Sequence, residues 1–217
     1  MDSPTTLGTM SSARQTEWEQ RYASVDRLWS GRPNDWLPQL AADWAPGRAL
    51  DLGCGEGDDA LWLVARGWDV TGVDLSATAI GRMLDGARAA GVEGRVHGVV
   101  LDLVADPLPA GPFDLVTSFY VHGGPSPESI QLPALLAEAA SRVAPGGRLL
   151  VAVHCVNPPW HRHCALTYEP GALREEIGEA VVGWGTVVCE ERWRDVLSRE
   201  GESGRRSDAV LCLRRPV

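Results

Sequence analysis

The sequence contains no lysine, and its acidic residues outnumber its basic ones. All 20 basic residues are arginines, against 29 aspartates and glutamates, and the formal net charge is −9. The absence of lysine removes the lysine amine from the candidate catalytic bases. The acidic balance argues against nucleic acid as the main partner, because binding to phosphates needs a basic face.

Long apolar runs and cysteine pairs at redox spacing are also missing. No stretch approaches the roughly 18 apolar residues that cross a bilayer, so we expect no membrane partner. Residues 1–12 are small and polar. This composition predicts a disordered segment without the apolar core of a secretory signal, and hence a cytoplasmic location. The five cysteines include no C-x-x-C pair, so we expect free thiols in a reducing compartment.

The length of 217 residues fits a single domain over residues 13–217. Helices with aromatic faces are predicted at residues 13–29 and 35–44, and they form an N-terminal helical cover over residues 13–46. In the core, residues 47–217, short apolar strands alternate with helical patterns and end in an antiparallel pair of strands. This alternation predicts an α/β fold with a doubly wound, mostly parallel sheet. The predicted strands cover residues 48–52, 69–73, 95–100, 113–119, 149–154, 186–194 and 209–214.

The most informative segment is a glycine-rich turn at residues 49–57, ALDLGCGEG. A short apolar strand runs into Gly53, Gly55 and Gly57, and glycines at this spacing let the backbone pass close to a bulky ligand. The helix that follows offers unpaired N–H groups. The next strand ends in Asp74, whose carboxylate is placed to accept hydrogen bonds from ribose hydroxyls. Together these features predict a site for an adenosine-containing cofactor.

The spacing of the glycines selects among the adenosine cofactors. Dinucleotide folds use G-x-G-x-x-G, but the sixth position counted from Gly53 is Asp58. A nicotinamide-dependent oxidoreductase is therefore disfavoured. Asp51 precedes the turn, where a carboxylate would repel a pyrophosphate and would suit the cationic amino-acid end of a cofactor.

At these residues the sequence resembles the class I S-adenosylmethionine-dependent methyltransferases. The resemblance implies S-adenosyl-L-methionine as the cofactor. It also implies a Rossmann-like sheet of seven strands in which the last strand is antiparallel. Four segments match motifs of that family in order along the chain: residues 50–57 (LDLGCGEG), 73–76 (VDLS), 113–116 (FDLV) and 142–150 (RVAPGGRLL).

The resemblance also implies further cofactor contacts. Leu75 follows the acidic residue of the second motif, and Phe119 ends the fourth strand. Asp102 and Leu103 follow the third strand, where the family reads the adenine. A second acidic residue in that segment, Asp106, is the alternative to Asp102.

The N-terminal cover resembles that of small-molecule methyltransferases in the thiopurine and tellurite methyltransferase group. The matching segments are residues 18–22 (WEQRY) and 28–34 (LWSGRPN). In that group the cover closes over the cofactor and helps to build the acceptor pocket. The resemblance therefore implies Trp29 as a cofactor contact and Tyr22 and Arg32 as acceptor contacts. The alternative is that this aromatic face only packs in the core.

Histidines follow two of the predicted strands. Ligands of open α/β sheets bind beyond the carboxyl ends of the strands. His122 follows the fourth strand and His154 ends the fifth. Because histidine titrates near neutral pH, both are candidate general bases. Tyr120, His122 and Trp160 are candidate acceptor contacts. The histidines and cysteines between His154 and Cys164 match no zinc spacing, so no metal site is predicted.

These observations predict an enzyme that methylates a small molecule. The resemblance favours a thiol or another soft nucleophile as the acceptor, with an amine or hydroxyl of a small metabolite as the alternative. A protein that binds S-adenosylmethionine or S-adenosylhomocysteine without catalysis is a further alternative. The sequence does not indicate the oligomeric state.

Overall fold

The structure is a computed structural model that describes residues 13–126, 128–161, 165–198 and 200–217. The predicted disorder of residues 1–12 lies outside these ranges. His163 and Cys164, from the group of histidines and cysteines considered for metal, also lie outside them. Within the described ranges, no helix is both long and apolar enough to cross a membrane.

Seven strands form one sheet. In chain order they are β1 (Arg48–Leu52), β2 (Asp69–Asp74), β3 (Val96–Val100), β4 (Phe113–Phe119), β5 (Val143–Val156), β6 (Gly185–Leu197) and β7 (Ser203–Arg214). Across the sheet their order is β3-β2-β1-β4-β5-β7-β6. The first five strands are parallel, whereas β7 runs antiparallel to both β5 and β6. This arrangement confirms the predicted doubly wound sheet with an antiparallel last strand.

Helices cover both faces of the sheet. In chain order they are α1 (Ala13–Ala23), α2 (Trp36–Ala41), α3 (Asp58–Val64), α4 (Ala77–Ala89), α5 (Leu132–Arg142) and α6 (Pro170–Ile177). On one face Leu52 and Val151 of the sheet belong to the same buried cluster as Leu136 of α5. On the other face Leu115 of the sheet belongs to a cluster with Met83 of α4. Burying each of these side chains contributes about 1.5–3 kcal/mol to stability.

The N-terminal cover differs from the prediction in the extent of its helices. Helix α1 ends at Ala23 instead of continuing to residue 29, and α2 is confined to residues 36–41. Between the helices, the backbone N–H groups of Leu28 and Trp29 both donate to the carboxylate of Glu56, at 3.0 Å each. A longer helix would have needed these N–H groups for its own carbonyls, so an acceptor from the glycine-rich turn replaces the helix here.

The C-terminal hairpin is longer than predicted, and its register brings two distant residues together. Its strands extend to Leu197 on one side and from Ser203 on the other. In the ladder between β5 and β7, His154 lies opposite Asp208. The hairpin therefore brings an acidic side chain next to a predicted base.

Candidate functional site

The glycine-rich turn joins β1 to α3 at the carboxyl ends of the parallel strands. Gly53, Gly55 and Gly57 have φ angles of 68°, 54° and 85°, which lie in the left-handed region that favours glycine. A Cβ added at Gly55 would lie 3.1 Å from Tyr22 Oη, and one added at Gly57 would collide with Met83. The turn is therefore packed against the N-terminal cover on one side and against α4 on the other.

Asp74 is fixed in place at the end of β2. Its two carboxylate oxygens accept from the backbone N–H groups of Gly55 and Ser76, at 2.9 Å each. The Ser76 hydroxyl accepts from Ala79 N and caps α4. Burial raises the pKa of Asp74 above its ordinary value, against the lowering effect of its backbone donors. The carboxylate is thus oriented beside the glycine-rich turn, and its contact with a ribose stays a prediction.

Asp51 is buried and only partly satisfied. Thr117 Oγ1 donates to its Oδ1 at 2.7 Å, whereas Oδ2 has no donor among the described residues. Burial and the nearby Asp59 carboxylate raise the pKa of Asp51 well above its ordinary value. A buried carboxylate oxygen without a donor is unfavourable, and an ammonium group would supply both N–H donors and the opposite charge. The site therefore fits the cationic amino-acid end of the predicted cofactor.

The two acidic residues proposed for the adenine have different contacts. The Asp102 carboxylate accepts from the Arg14 guanidinium of α1 and from Val104 N, the latter at 2.8 Å. Asp106 Oδ2 accepts from Asp102 N at 2.9 Å. Asp106 therefore closes the turn that follows β3, and Asp102 connects this turn to the cover. The choice between them as the adenine contact stays a prediction.

The remaining predicted cofactor contacts lie around the same turn. The backbone carbonyl of Leu75 accepts from the Gln15 side chain of α1 at 3.4 Å. Leu103 is half-buried and packs against the core. Phe119 is 7% exposed and belongs to the buried cluster on the α3 and α4 face. Phe119 thus contributes to the core, and its predicted contact with a cofactor is untested.

Glu56 attaches the cover to the glycine-rich turn. In addition to the two backbone donors described above, Arg82 of α4 donates to its carboxylate at 2.7 Å. The same guanidinium donates to the Tyr22 carbonyl at 3.1 Å. Burial raises the pKa of Glu56, but the bonds from Trp29 N and Arg82 outweigh this effect and hold it below the ordinary value. The ionised carboxylate therefore binds the cover electrostatically.

Two further acidic residues continue this attachment at the start of α3. Asp58 accepts from the Arg27 guanidinium and from Gly31 N. Asp59 accepts from Asn34 N at 2.7 Å. Sequence reasoning missed the role of these carboxylates. The signal was present in the segment EGDD at residues 56–59, whose acidic residues flank the last glycine of the turn.

The cover residues that the sequence singled out separate into two groups. Tyr22 is buried, and its hydroxyl accepts from Trp29 Nε1 at 3.0 Å. Both rings lie next to Gly55. Arg32 is exposed in the following turn, and its backbone N–H donates to Ser30 Oγ at 3.2 Å. The structure therefore brings Tyr22 and Trp29 to the glycine-rich turn, while Arg32 lies at the surface.

The two predicted bases lie side by side. The ring centroids of His122 and His154 are 4.7 Å apart, and the ring of Tyr120 lies 4.8 Å from that of His154. Tyr120 adopts a φ of 55° directly after β4, which is rare for a residue other than glycine. The strand ends of β4 and β5 therefore bring three predicted acceptor-site residues into one cluster.

Asp208 organises this cluster, and sequence reasoning missed it. The residue is fully buried. Although burial alone raises its pKa, hydrogen bonds from His154 and Arg194 lower the pKa of Asp208 to about 2. Its carboxylate accepts from Trp36 Nε1 at 3.1 Å and, at 2.9 Å each, from Tyr120 Oη, Arg194 Nε and His154 Nδ1. The only sequence signal is an acidic residue at the start of the apolar run of β7.

The contact with Asp208 sets the tautomer of His154. An ionised carboxylate only accepts, so Nδ1 of His154 carries the proton. Burial lowers the pKa of His154 below its ordinary value, although the bond to Asp208 acts in the opposite direction. The ring is therefore neutral near pH 7 and keeps a lone pair on Nε2. This arrangement can accept a proton at Nε2, with the resulting charge stabilised by Asp208.

The loop after β5 packs on the hairpin. A Cβ added at Gly204 of β7 would collide with the ring of Trp160, so the tryptophan packs directly against that strand. The next residue, His161, bonds through Nδ1 to Arg206 Nη2 at 2.7 Å. Within the described ranges, no cluster of three or more His, Cys, Asp or Glu side chains is arranged to hold a metal ion.

Residues 18–181 match the family model described as a methyltransferase domain. The match covers most of the chain, so the protein belongs to this methyltransferase family, and the predicted resemblance is confirmed. The chain is 27% identical over 201 residues to a 27-O-demethylrifamycin SV methyltransferase from Amycolatopsis mediterranei, covering 92% of this chain and 69% of that protein.

Other relatives share shorter regions. The chain is 35% identical over 104 residues to a ribosomal RNA small subunit methyltransferase C from Alcanivorax borkumensis, covering 48% of this chain and 31% of that protein. It spans less than two thirds of the length of the first curated relatives that it matches, from 31% to 62%. Among solved structures, TehB from Haemophilus influenzae has the same fold, with a TM-score of 0.69, 19% identity, and coverage of 84% of this chain and 62% of that one.

Proposed function

We propose that the protein is an S-adenosylmethionine-dependent methyltransferase that acts on a small molecule with an ionisable hydroxyl or thiol group. The observation that carries the proposal is the pair of His154 and Asp208, which lies beside Tyr120 at the same edge of the sheet as the glycine-rich turn. Membership of the methyltransferase family supports the reaction class. The relative whose name specifies rifamycin SV supports a small-molecule acceptor.

The cofactor would be held by the residues around the glycine-rich turn. Asp51 would accept from the ammonium group through its unpaired Oδ2, and Asp74 would accept from the ribose hydroxyls. Tyr22 and Trp29 would exclude water from the turn, because Glu56 and Arg82 hold the cover over it. When bound, S-adenosylmethionine supplies an activated methyl group with a neutral thioether as the leaving group.

The acceptor would be activated by His154. Nε2 of His154 takes the proton from the acceptor hydroxyl or thiol, and Asp208 stabilises the imidazolium that results. The cofactor would supply its methyl group to the acceptor atom, and its sulfur would keep the electron pair of the broken carbon–sulfur bond. The proton later passes from Nε2 to solvent, so the products are the methylated acceptor, S-adenosylhomocysteine and one proton.

The resemblance to the thiopurine and tellurite methyltransferase group favours a thiol, and the proposed base extends the range of acceptors to hydroxyls. A free thiol ionises near pKa 8.5, whereas a phenol of the tyrosine type ionises near pKa 10. A hydroxyl therefore depends more strongly on proton removal than a thiol does. A neutral amine already carries the lone pair that attacks, so it gains least from the His154–Asp208 pair.

Release of S-adenosylhomocysteine from purified protein tests the proposed function. The acceptors are benzenethiol, phenol and aniline, which share one ring and differ in the nucleophilic atom. We expect turnover with the thiol or the phenol. Transfer to aniline alone would contradict the role of the base. If the protein binds S-adenosylhomocysteine tightly but transfers no methyl group to any compound in a wider panel of thiols and hydroxyls, a ligand-binding protein is favoured instead.

The Asp74→Ala variant tests the cofactor site separately. We expect it to weaken binding of S-adenosylhomocysteine by about 1–3 kcal/mol, because hydrogen bonds to a buried ribose are lost. Calorimetry measures the affinity. The matched control is Asp69→Ala at the half-exposed start of the same strand, which should bind as the wild type does. Equal affinities in the two variants would remove Asp74 from the cofactor site.

A further inference from the structure

A half-buried positive charge lies next to the proposed base. Arg206 precedes Asp208 by two positions in β7, so the two side chains lie on the same face of the sheet. Its Nη2 lies 2.7 Å from His161 Nδ1, and the ring of His161 meets that of His154 edge-on at a centroid distance of 5.6 Å. The guanidinium is therefore separated from the proposed base by a single imidazole ring.

The described residues around this guanidinium do not neutralise its charge. The buried carboxylate of Asp208 already accepts hydrogen bonds from four side chains, those of His154, Arg194, Tyr120 and Trp36. None of the ion pairs within the described residues includes Arg206. Arg206 Nε is buried and has no acceptor among those residues.

His161 does not compensate the charge either. A guanidinium only donates, so His161 Nδ1 must accept, and its ring is the neutral tautomer with the proton on Nε2. Burial and the positive charge of Arg194 lower the pKa of Arg206 below its ordinary value. The surroundings of Arg206 thus carry surplus positive charge in a protein whose net charge is −9. They also hold a buried donor, Arg206 Nε, that lacks an acceptor among the described residues.

We propose that Arg206 binds an anionic group, a carboxylate or a phosphate, on the acceptor molecule and thereby places its hydroxyl or thiol beside His154. A guanidinium presents two parallel N–H donors that match either anion. The inference rests on the proposed function, because it names the substrate class of the same site. Compact acids in which the anion and the nucleophile share one aromatic ring satisfy both contacts at once.

Equilibrium binding tests the proposal without requiring turnover. Calorimetry on the full chain with S-adenosylhomocysteine measures three acids, each beside a neutral counterpart. The pairs are 2-mercaptobenzoate with its methyl ester, 3-hydroxybenzoate with its methyl ester, and phenyl phosphate with phenol. We expect at least one acid to bind about tenfold more tightly than its counterpart. The preferred anion, carboxylate or phosphate, identifies the group that the acceptor carries.

Three variants separate anion binding from a structural role of Arg206. Arg206→Gln should remove the preference for the acid, and Arg206→Lys should keep part of it because the charge remains. Arg205→Gln is the matched control, since Arg205 is the adjacent residue, is 63% exposed and lies over Trp193 on the opposite face. It should keep the full preference. If Arg206 only supported the loop after β5, the variants would change stability and leave the acid-to-neutral ratio unchanged.

The results overturn the proposal if no acid binds better than its counterpart in the wild-type protein, or if the preference survives in Arg206→Gln. Methyl transfer is measured on the same proteins, so the two hypotheses fail independently. An acid preference without transfer supports the anion site and contradicts the proposed function. Methyl transfer to neutral thiols or hydroxyls without any acid preference supports the proposed function and contradicts the anion site.

Discussion

His154→Gln should lower the rate constant of methyl transfer by about 10²–10⁴-fold, the range that general base catalysis contributes. Glutamine retains a polar side chain but has no basic nitrogen. Binding of S-adenosylhomocysteine should remain unchanged, because Asp51, Asp74 and the cover hold the cofactor in our assignment. The loss should therefore fall on kcat rather than on cofactor affinity, and stopped assays at saturating S-adenosylmethionine measure it.

The pH dependence of the rate should differ between the wild-type protein and His154→Gln. The active form of His154 is neutral, and burial holds its pKa below the ordinary 6.5. Activity should thus be complete near neutrality and should be lost as the pH falls through that lowered pKa. Among the described residues, the titratable and charged groups facing His154 are Asp208, Tyr120, Arg194, Arg206, His122 and His161.

Because of the ionisation states of these neighbours, the loss of activity at low pH (the acid limb of the profile) is assigned to a histidine. Asp208, whose pKa is about 2, stays ionised throughout the range, and burial raises the pKa of Tyr120 so that it stays neutral. His154→Gln should abolish the limb. His122→Gln should keep the limb. If His122→Gln abolishes the limb and His154→Gln keeps it, the base is His122. The control is His97→Gln, because His97 is 54% exposed and pairs with Asp69 in β2.

The local parts of this site could be predicted from the sequence. Strands β1 and β4 were predicted at their observed bounds, since each is a short apolar run between turn residues. The glycine-rich turn and the Ser76 cap depend on residues within a few positions of one another. His122 and His154 could be placed at strand ends because the rule for open sheets needs only the strand assignments.

Contacts between distant segments could not be predicted in the same way. Asp208 is 54 positions from His154, and their pairing depends on the register of a hairpin that was predicted several residues too short. The predicted C-terminal end of α1 was wrong for a related reason. Its apolar spacing continues past Ala23, but the Glu56 carboxylate captures the next backbone N–H groups. In both cases a contact between segments distant in the chain decides the structure, and the local pattern does not encode that contact.

Gly57→Ala should lower the free energy of unfolding by about 2–5 kcal/mol. The left-handed φ of 85° costs about 1–2 kcal/mol for a residue with a Cβ. Overpacking adds about 1–3 kcal/mol, because the new methyl group would collide with Met83, which is fully buried and has little room to move. Urea unfolding followed by circular dichroism measures the change, with an unchanged slope as the check on two-state behaviour.

Gly91→Ala separates the two contributions. Gly91 follows the C-terminal end of α4 with a φ of 68° and has no heavy atom near an added Cβ, so only the conformational cost of about 1–2 kcal/mol remains. The Met83→Ala background removes Met83 Cγ, the closest colliding atom, but keeps Met83 Cβ at 2.7 Å, so the effect of Gly57→Ala should be smaller there without disappearing. If Gly57→Ala is no more destabilising than Gly91→Ala yet abolishes binding of S-adenosylhomocysteine, then Gly57 is required by the approach of a ligand. A large loss of stability means that packing on α4 already requires glycine before any ligand binds.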